Sequence, residues 1–327
     1  MSNGAGANAG SPVRQETRMK IDRRAFSRTL ALAAAGAALP AYAQQKLNIR
    51  IGHTGITWPW GNPPGGGPMR LADPPAIDQI AKDVSSLGFY GLELFGWQID
   101  GMEAHGGVGP LLEKYKLPLI SSYGGPNLTD PAQRKPSLER TVATAKLVKK
   151  YGGKVIVFGP NGVPRDKFNF AEYKTGIIEA LNEGAKAVSD LGLTPVLHQH
   201  TGTCIETREE TYAVMEAVDT RYLKFGPDIG QLQKGGSDPV QVVKDFLPII
   251  HHLHLKDYVG GQPFLGYCPL GQGKVNVPAI LAMMNGRQMD GMVMVELDSS
   301  PDMPIPALEC AKIARGYLVK QGVTLRA

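Results

Sequence analysis

The first residues able to do chemistry are the two histidines of the stretch Pro195-Val196-Leu197-His198-Gln199-His200-Thr201-Gly202-Thr203. Its apolar beginning reads as a buried strand, and its Thr-Gly-Thr end as the loop that stops it. Side chains alternate across a strand, so His198 and His200 share one face and Gln199 takes the other. Two imidazoles so placed can line a pocket floor and ligate a metal. They can equally be hydrogen-bonded polar residues at a strand end. The rest of the chain has to decide.

Other apolar stretches end the same way. Gly91-Leu92-Glu93-Leu94-Phe95 carries Glu93, and Phe225-Gly226-Pro227-Asp228-Ile229-Gly230-Gln231 closes on Asp228. His251-His252-Leu253-His254-Leu255-Lys256-Asp257 holds three imidazoles, and Met292-Val293-Met294-Val295-Glu296-Leu297-Asp298 ends on two carboxylates. Buried charge is costly unless it is paired or bound to metal. An imidazole or carboxylate closing four consecutive apolar strands is therefore hard to explain by packing, and points to a metal site.

Such residues need a frame that brings strand ends together. Strands are expected at 47–53, 91–95, 117–121, 154–158, the His198 stretch, 222–228, 249–256 and 292–297. Helices are expected at 75–87, 137–151, 170–191 (with Gly192 in C-cap position), 206–218, 239–247, 278–284 and 305–320. Eight strands alternating with helices over residues 44–327 predict a single (β/α)8 TIM barrel, whose active site lies at the C-terminal strand ends. An open doubly wound sheet is the runner-up, weakened because no glycine-rich nucleotide turn follows the first strand. The segment 56–75, rich in Trp, Pro and Gly, is too long for an ordinary turn and reads as a lid, a binding loop or an insertion.

Residues 1–43 read as an export signal. Arg23-Arg24-Ala25-Phe26 precedes an alanine-rich apolar run and Ala41-Tyr42-Ala43, a small-x-small cleavage site. The paired arginines resemble a twin-arginine signal, which implies a periplasmic protein starting near Gln44. The apolar run is too short for a membrane anchor. Six basic and two acidic residues in this segment carry +4 of the chain's +5, so the remainder is nearly neutral and nucleic acid is not an expected partner. Cys204, Cys268 and Cys310 are too scattered for a disulfide scaffold or zinc cluster, although one bridge is allowed.

From Leu47 to the C-terminus the chain resembles the xylose-isomerase-like barrel family of sugar isomerases, epimerases and dehydratases. Its most recognisable signature is matched by His254-Leu255-Lys256-Asp257. The resemblance implies four metal ligands closing strands five to eight: His198, Asp228, His254 and Glu296. Most of the family has glutamate where His198 stands. Histidine there, followed by His200, Gly202 and Thr203, is similar to inosose dehydratase. On the sixth strand, Gln231 replaces the family's usual histidine. Two imidazoles and two carboxylates suit Mn²⁺ or Co²⁺, with Zn²⁺, Fe²⁺ or Mg²⁺ as alternatives.

The implied chemistry is proton abstraction beside a ketone, through an enediolate, on a small keto-sugar, keto-inositol or keto-glycoside. Glu296 would take the proton, and Lys256 or His200 would steady an oxyanion or protonate a leaving group. An ion pair with a rim carboxylate is the alternative reading of Lys256. His251 and His252 read as structural. Glu93, Gln231, Trp58 and Trp60 are candidate sugar contacts. Three functions are compatible with these residues: a dehydratase or β-eliminating lyase, an isomerase or epimerase, and an exported sugar-binding protein without turnover. Oligomeric state is left open.

Overall fold

The computed structural model describes residues 46–58, 60–61, 69–70, 73–261, 264–299 and 303–327. The expected signal segment lies outside them. Eight strands form one parallel sheet: β1 (Ile51–Thr54), β2 (Leu92–Phe95), β3 (Leu119–Gly124), β4 (Val155–Phe158), β5 (Thr194–Leu197), β6 (Lys224–Phe225), β7 (Leu253–Leu255) and β8 (Val293–Val295). Their spatial order is β6-β5-β4-β3-β2-β1-β8-β7, each paired parallel to the next. The remaining gap, between β6 and β7, is bridged by two single parallel pairs, Phe225 with Ile250 and Asp228 with His254. Backbone hydrogen bonds from His251 N to Phe225 O (3.1 Å) and from His254 N to Pro227 O (2.9 Å) accompany them. The expected barrel is therefore present, and its seam runs beside the expected metal ligands.

Ten helices are described: α1 (Pro74–Ser86), α2 (Gly96–Glu103), α3 (Gly109–Lys114), α4 (Pro131–Lys150), α5 (Phe170–Ser189), α6 (Arg208–Met215), α7 (Ile229–Lys234), α8 (Pro239–Phe246), α9 (Val277–Met284) and α10 (Ala307–Lys320). In α5 the buried residues Ile177, Ala180, Leu181, Gly184, Ala185 and Val188 recur at helical spacing, forming one apolar stripe against the sheet. Asn169 caps its start by accepting from Ala171 N, and Gly192, just past its end, takes φ +79°, a conformation that favours glycine. Helices α2, α3 and α7 were not expected. None of the helices among the described residues is long and apolar enough to cross a membrane.

Inside the barrel, Val155, Val157 and Val196 pack as a small apolar floor with Tyr123 against it. The polar strand ends rise above that floor. Two antiparallel ribbons lie outside the barrel sheet: Trp60–Gly61 with Met69–Arg70, and Asp257–Tyr258 with Tyr267–Cys268. The second ribbon is anchored by Asp257, which is buried. Its carboxylate accepts from the backbone N–H groups of Tyr258 (2.9 Å), Gly271 (2.9 Å), Gly273 (2.9 Å) and Val275 (3.1 Å). One aspartate thus folds the segment that carries Tyr267 over the barrel mouth. The three cysteines are buried and unpaired.

Candidate metal centre and active site

Asp228 begins the site, because two local interactions fix its carboxylate. It is the N-cap of α7, where Oδ1 accepts from Gly230 N (2.8 Å) and Gln231 N (2.9 Å). Gln199, on the opposite face of β5 from the two histidines, donates from Nε2 to Asp228 O (2.8 Å) and so ties the ends of β5 and β6 together. Oδ2 is left pointing inward.

His198 and His254 face it across the barrel. Their ring centroids are 4.7 Å apart and both side chains are buried. Neither ring nitrogen of His198 has a hydrogen-bond partner. Burial, reinforced by His254, pushes its pKa well below the ordinary value, so the ring is neutral and offers a lone pair. One ligand atom each from His198, Asp228 and His254 lies within 4.8 Å of the others. Unpartnered buried nitrogens are rare in folded proteins, so this arrangement fits a bound cation.

Four groups orient His254. Nε2 lies 3.1 Å from Glu93 Oε1, and Nδ1 lies 3.0 Å from Glu296 Oε2. His252 accepts Met292 N–H on Nδ1 (3.2 Å), so its Nε2–H donates to Glu93 Oε2 (3.0 Å). Ser121 Oγ donates to the same oxygen (2.6 Å). Burial alone would raise the Glu93 pKa, but His254 and His252 hold it far below the usual carboxylate range. Burial would likewise lower His254, and the carboxylates of Glu296 and Glu93 reverse this and raise it well above the ordinary value. A proton or a metal ion therefore has to separate His254 Nδ1 from Glu296 Oε2.

Lys256 is fully buried. Its Nζ lies 2.6 Å from Glu296 Oε1, 2.9 Å from Asp228 Oδ2 and 3.1 Å from Asp298 Oδ2. Burial would lower its pKa, but Asp228, Asp298 and Glu296 raise it well above that of free lysine. A Cβ at residue 230 would sit 2.7 Å from Lys256 Cγ, so Gly230 is what lets the lysine stem pass beneath α7.

Above these residues is a cavity of about 310 Å³, lined by Glu93, Tyr123, His198, His200, Glu296 and Asp298 among others. Beside it is a second cavity of about 480 Å³, and the two share His200, Leu265 and Asp298 as lining residues.

Several sequence-based expectations change here. Trp58 does not reach the cavity: it is buried against His53, and its indole N–H donates to Asp83 Oδ2 (2.8 Å). The Trp60 side chain lies outside the described part of the structure. Glu93 does line the cavity, but both its oxygens are taken up by Ser121, His252 and His254. Gln231 is buried and saturated rather than presented to a sugar. Its Oε1 accepts from Thr201 N (3.1 Å), Thr201 Oγ1 (2.7 Å) and Tyr267 OH (2.5 Å). Its Nε2 faces His200 Nε2 (2.9 Å) and Asp298 Oδ2 (3.3 Å). His200 Nδ1–H is given to Thr201 O (2.7 Å), so its Nε2 is the acceptor from Gln231. Lys256 is buried with its Nζ held by Asp228, Glu296 and Asp298, an arrangement that suits a positioning residue.

Three contributors went unrecognised in the sequence. Asp298 had a visible signal, two residues beyond Glu296 on the same strand face. Tyr123 and Tyr267 had none.

Comparison with known proteins agrees with this geometry. Inosose dehydratase of Geobacillus kaustophilus (strain HTA426) is 24% identical over 301 residues, covering 83% of this chain and 94% of that protein. The structure of the IOLI protein with a bound zinc atom superposes with TM-score 0.67 at 16% identity, covering 84% of this chain and 98% of the other. The 3-keto-D-glucoside 4-epimerase YcjR of E. coli superposes with TM-score 0.60 at 15% identity, covering 84% and 98%. The xylose isomerase-like TIM barrel family matches residues 81–318, most of the barrel. That match spans more than half of the sequence, and this chain belongs to that family.

Proposed function

We propose that the protein is a divalent-metal-dependent carbon–oxygen lyase that removes a β-substituent from a keto-sugar, keto-inositol or keto-glycoside. His198, Asp228, His254 and Glu296 would hold the ion. A bound divalent ion supplies Lewis acidity toward a ketone oxygen and the hydroxyl beside it.

Glu296 is the base. Burial would raise its pKa, but His254 and Lys256 keep it well below the ordinary carboxylate value. A carboxylate base suits a C–H proton that a neighbouring ketone acidifies, which fits an oxidised sugar as substrate. Lys256, donating to Oε1, holds this carboxylate in place. His200, whose Nε2 faces the cavity boundary, is the group that would deliver a proton to the departing oxygen.

One observation carries the choice of lyase. Besides Glu93, the carboxylates lining the cavity are Glu296 and Asp298, both on the β8 side, and the facing wall at β5 offers His198, whose lone pair would be committed to the ion. Inversion of a carbon needs proton removal on one face and return on the other. Elimination needs a single base. The likeness to inosose dehydratase supports this reading, and that to the 3-keto-D-glucoside 4-epimerase supports an isomerase or epimerase as the second one.

The deciding experiment incubates Mn²⁺-loaded protein with keto-sugars and keto-glycosides in D₂O. An enone absorbing in the ultraviolet is expected. If instead a stereoisomer accumulates with deuterium at the inverted carbon, and no elimination product forms, the epimerase reading stands. We also propose that the protein is exported to the periplasm through its twin-arginine segment.

A further inference from the structure

We infer that the second cavity is a subsite for the departing half of the substrate, and that this half is a neutral aromatic or sugar group joined through a glycosidic oxygen. The inference rests on the lyase reading and names its substrate as a 3-keto-glycoside.

The geometry gives the cavity a place in the reaction. It shares His200, Leu265 and Asp298 with the metal-side cavity, so His200 stands between the two. A bond spanning the cavities would cross at the residue assigned to protonate the leaving oxygen. Ligand cavities for larger organic molecules run from about 300 to 1,000 Å³. The metal-side space of about 310 Å³ already meets that lower bound, so the adjoining 480 Å³ exceeds what a lone ring sugar requires.

Its lining selects the chemistry. Tyr258 and Tyr267 form an aromatic corner, with ring centroids 5.7 Å apart at 62°. Such faces suit a phenyl ring or the apolar face of a sugar. The charged groups are Lys234, Glu206 and Asp298. Lys234 Nζ already donates to Leu265 O (2.9 Å) and lies 4.7 Å from the Tyr267 ring centroid. A phosphate would meet two carboxylates and one engaged ammonium, so the charge balance favours a neutral group. Leu265 stands between the cavities at φ 60°, left-handed for a non-glycine residue, with 56% of its surface exposed. Strain of this kind collects at ligand sites, and here Lys234 holds the strained carbonyl.

The reaction constrains the ketone. A leaving group on the anomeric carbon is β to a carbonyl only when the carbonyl is at C3. Glu296 then takes the C2 proton, the C–H electrons become the C1–C2 double bond, and the C1–O bond breaks. The departing oxygen takes the His200 proton and leaves as an alcohol or phenol. The products are an enone sugar and that alcohol, and neither oxidant nor reductant is consumed.

The test compares phenyl and methyl 3-keto-β-glucosides on the full chain loaded with Mn²⁺. Turnover is followed by NMR, and binding by calorimetry with the unoxidised phenyl and methyl β-glucosides, which cannot eliminate. The phenyl compound should be preferred at least tenfold in kcat/KM and in binding. Tyr258→Ala should shrink that preference at least fivefold, as should Leu265→Ala, made independently at the exposed tip in case the first variant does not fold. Equal constants for the two glycosides overturn the inference, and so does a preference undiminished in both variants. A phenyl preference that Tyr258→Ala removes, accompanied by epimer rather than enone, leaves the subsite standing and defeats the lyase reading alone.

Discussion

Glu93 Oε1 lies 3.1 Å from His254 Nε2, and this contact decides which nitrogen of His254 faces the centre of the barrel. With Nε2–H given to Glu93, Nδ1 is the ligand atom. A carboxylate behind a metal-binding imidazole fixes its tautomer and raises its basicity, and loss of such a partner costs about 10–100-fold in metal affinity. Glu93→Gln should therefore weaken Mn²⁺ binding by that factor while the protein stays folded. Unchanged affinity in a chelator competition would remove Glu93 from this role.

Metal and proton compete for His254. Its pKa is raised well above the ordinary value, so without metal the ring is protonated at neutral pH, and binding must expel the Nδ1 proton. Affinity should fall as pH falls, by about tenfold per unit below that pKa. Calorimetry in two buffers of different ionisation enthalpy should report about one proton released per ion. No proton release would contradict the ligand assignment.

Lys256 is the positive charge set among Asp228, Glu296 and Asp298. Breaking a buried charge cluster by removing one sign costs about 3–5 kcal/mol. Lys256→Met should lower the stability of metal-free protein by that amount, and Mn²⁺ should restore part of it. Urea unfolding with and without the ion measures both. A variant as stable as the parent would mean that the carboxylates do not depend on the lysine.

His53 sits on β1 against Trp58 and Phe89, with Nδ1–H donated to Thr54 O. Burial lowers its pKa from 6.5 to about 4. Because the folded pKa is depressed, the unfolded chain binds the extra proton first, and stability falls as pH drops from 6.5 toward 4 and levels off below. Between pH 6.5 and 5 the His53 share is about 2 kcal/mol. His53→Phe should flatten the acid limb of the stability curve by that amount, whatever its stability at pH 7. Identical slopes in parent and variant would refute the assignment.

The export proposal has its own check. Arg23→Lys combined with Arg24→Lys should leave uncleaved precursor in the cytoplasm, visible as a band about 43 residues longer than the mature chain. Normal periplasmic accumulation would exclude the twin-arginine route.

Much of the fold was legible because its signals are local. The apolar stripe of α5 and the glycine after it can be read from spacing alone, and so can the alternation that places His198, His254 and Glu296 on inward faces. Helix α2 was hidden by Gly96 and Gly101, which weaken the helical pattern. Helix α7 was hidden because its cap, Asp228, had been read only as the end of a strand. The outer shell of the site was illegible for another reason: its partners are distant in sequence. Glu93 meets Ser121 across 28 residues and His252 across 159, and no spacing rule spans such separations. Trp58 misled because an aromatic in a Gly- and Pro-rich loop looks like a sugar platform until Asp83 is found beneath it.

The seam between β6 and β7 gives the metal centre a mechanical office. Seven neighbouring strand pairs are joined by ladders of two or more residue pairs, whereas this one is held by single bridges, one of them between Asp228 and His254 themselves. An ion gripped by both side chains would buckle the barrel at its least stitched joint, with His198 and Glu296 fastening the strands on either side. Loading would then tighten a joint that the backbone already bridges, and the barrel would gain stiffness along the line where the chemistry is done.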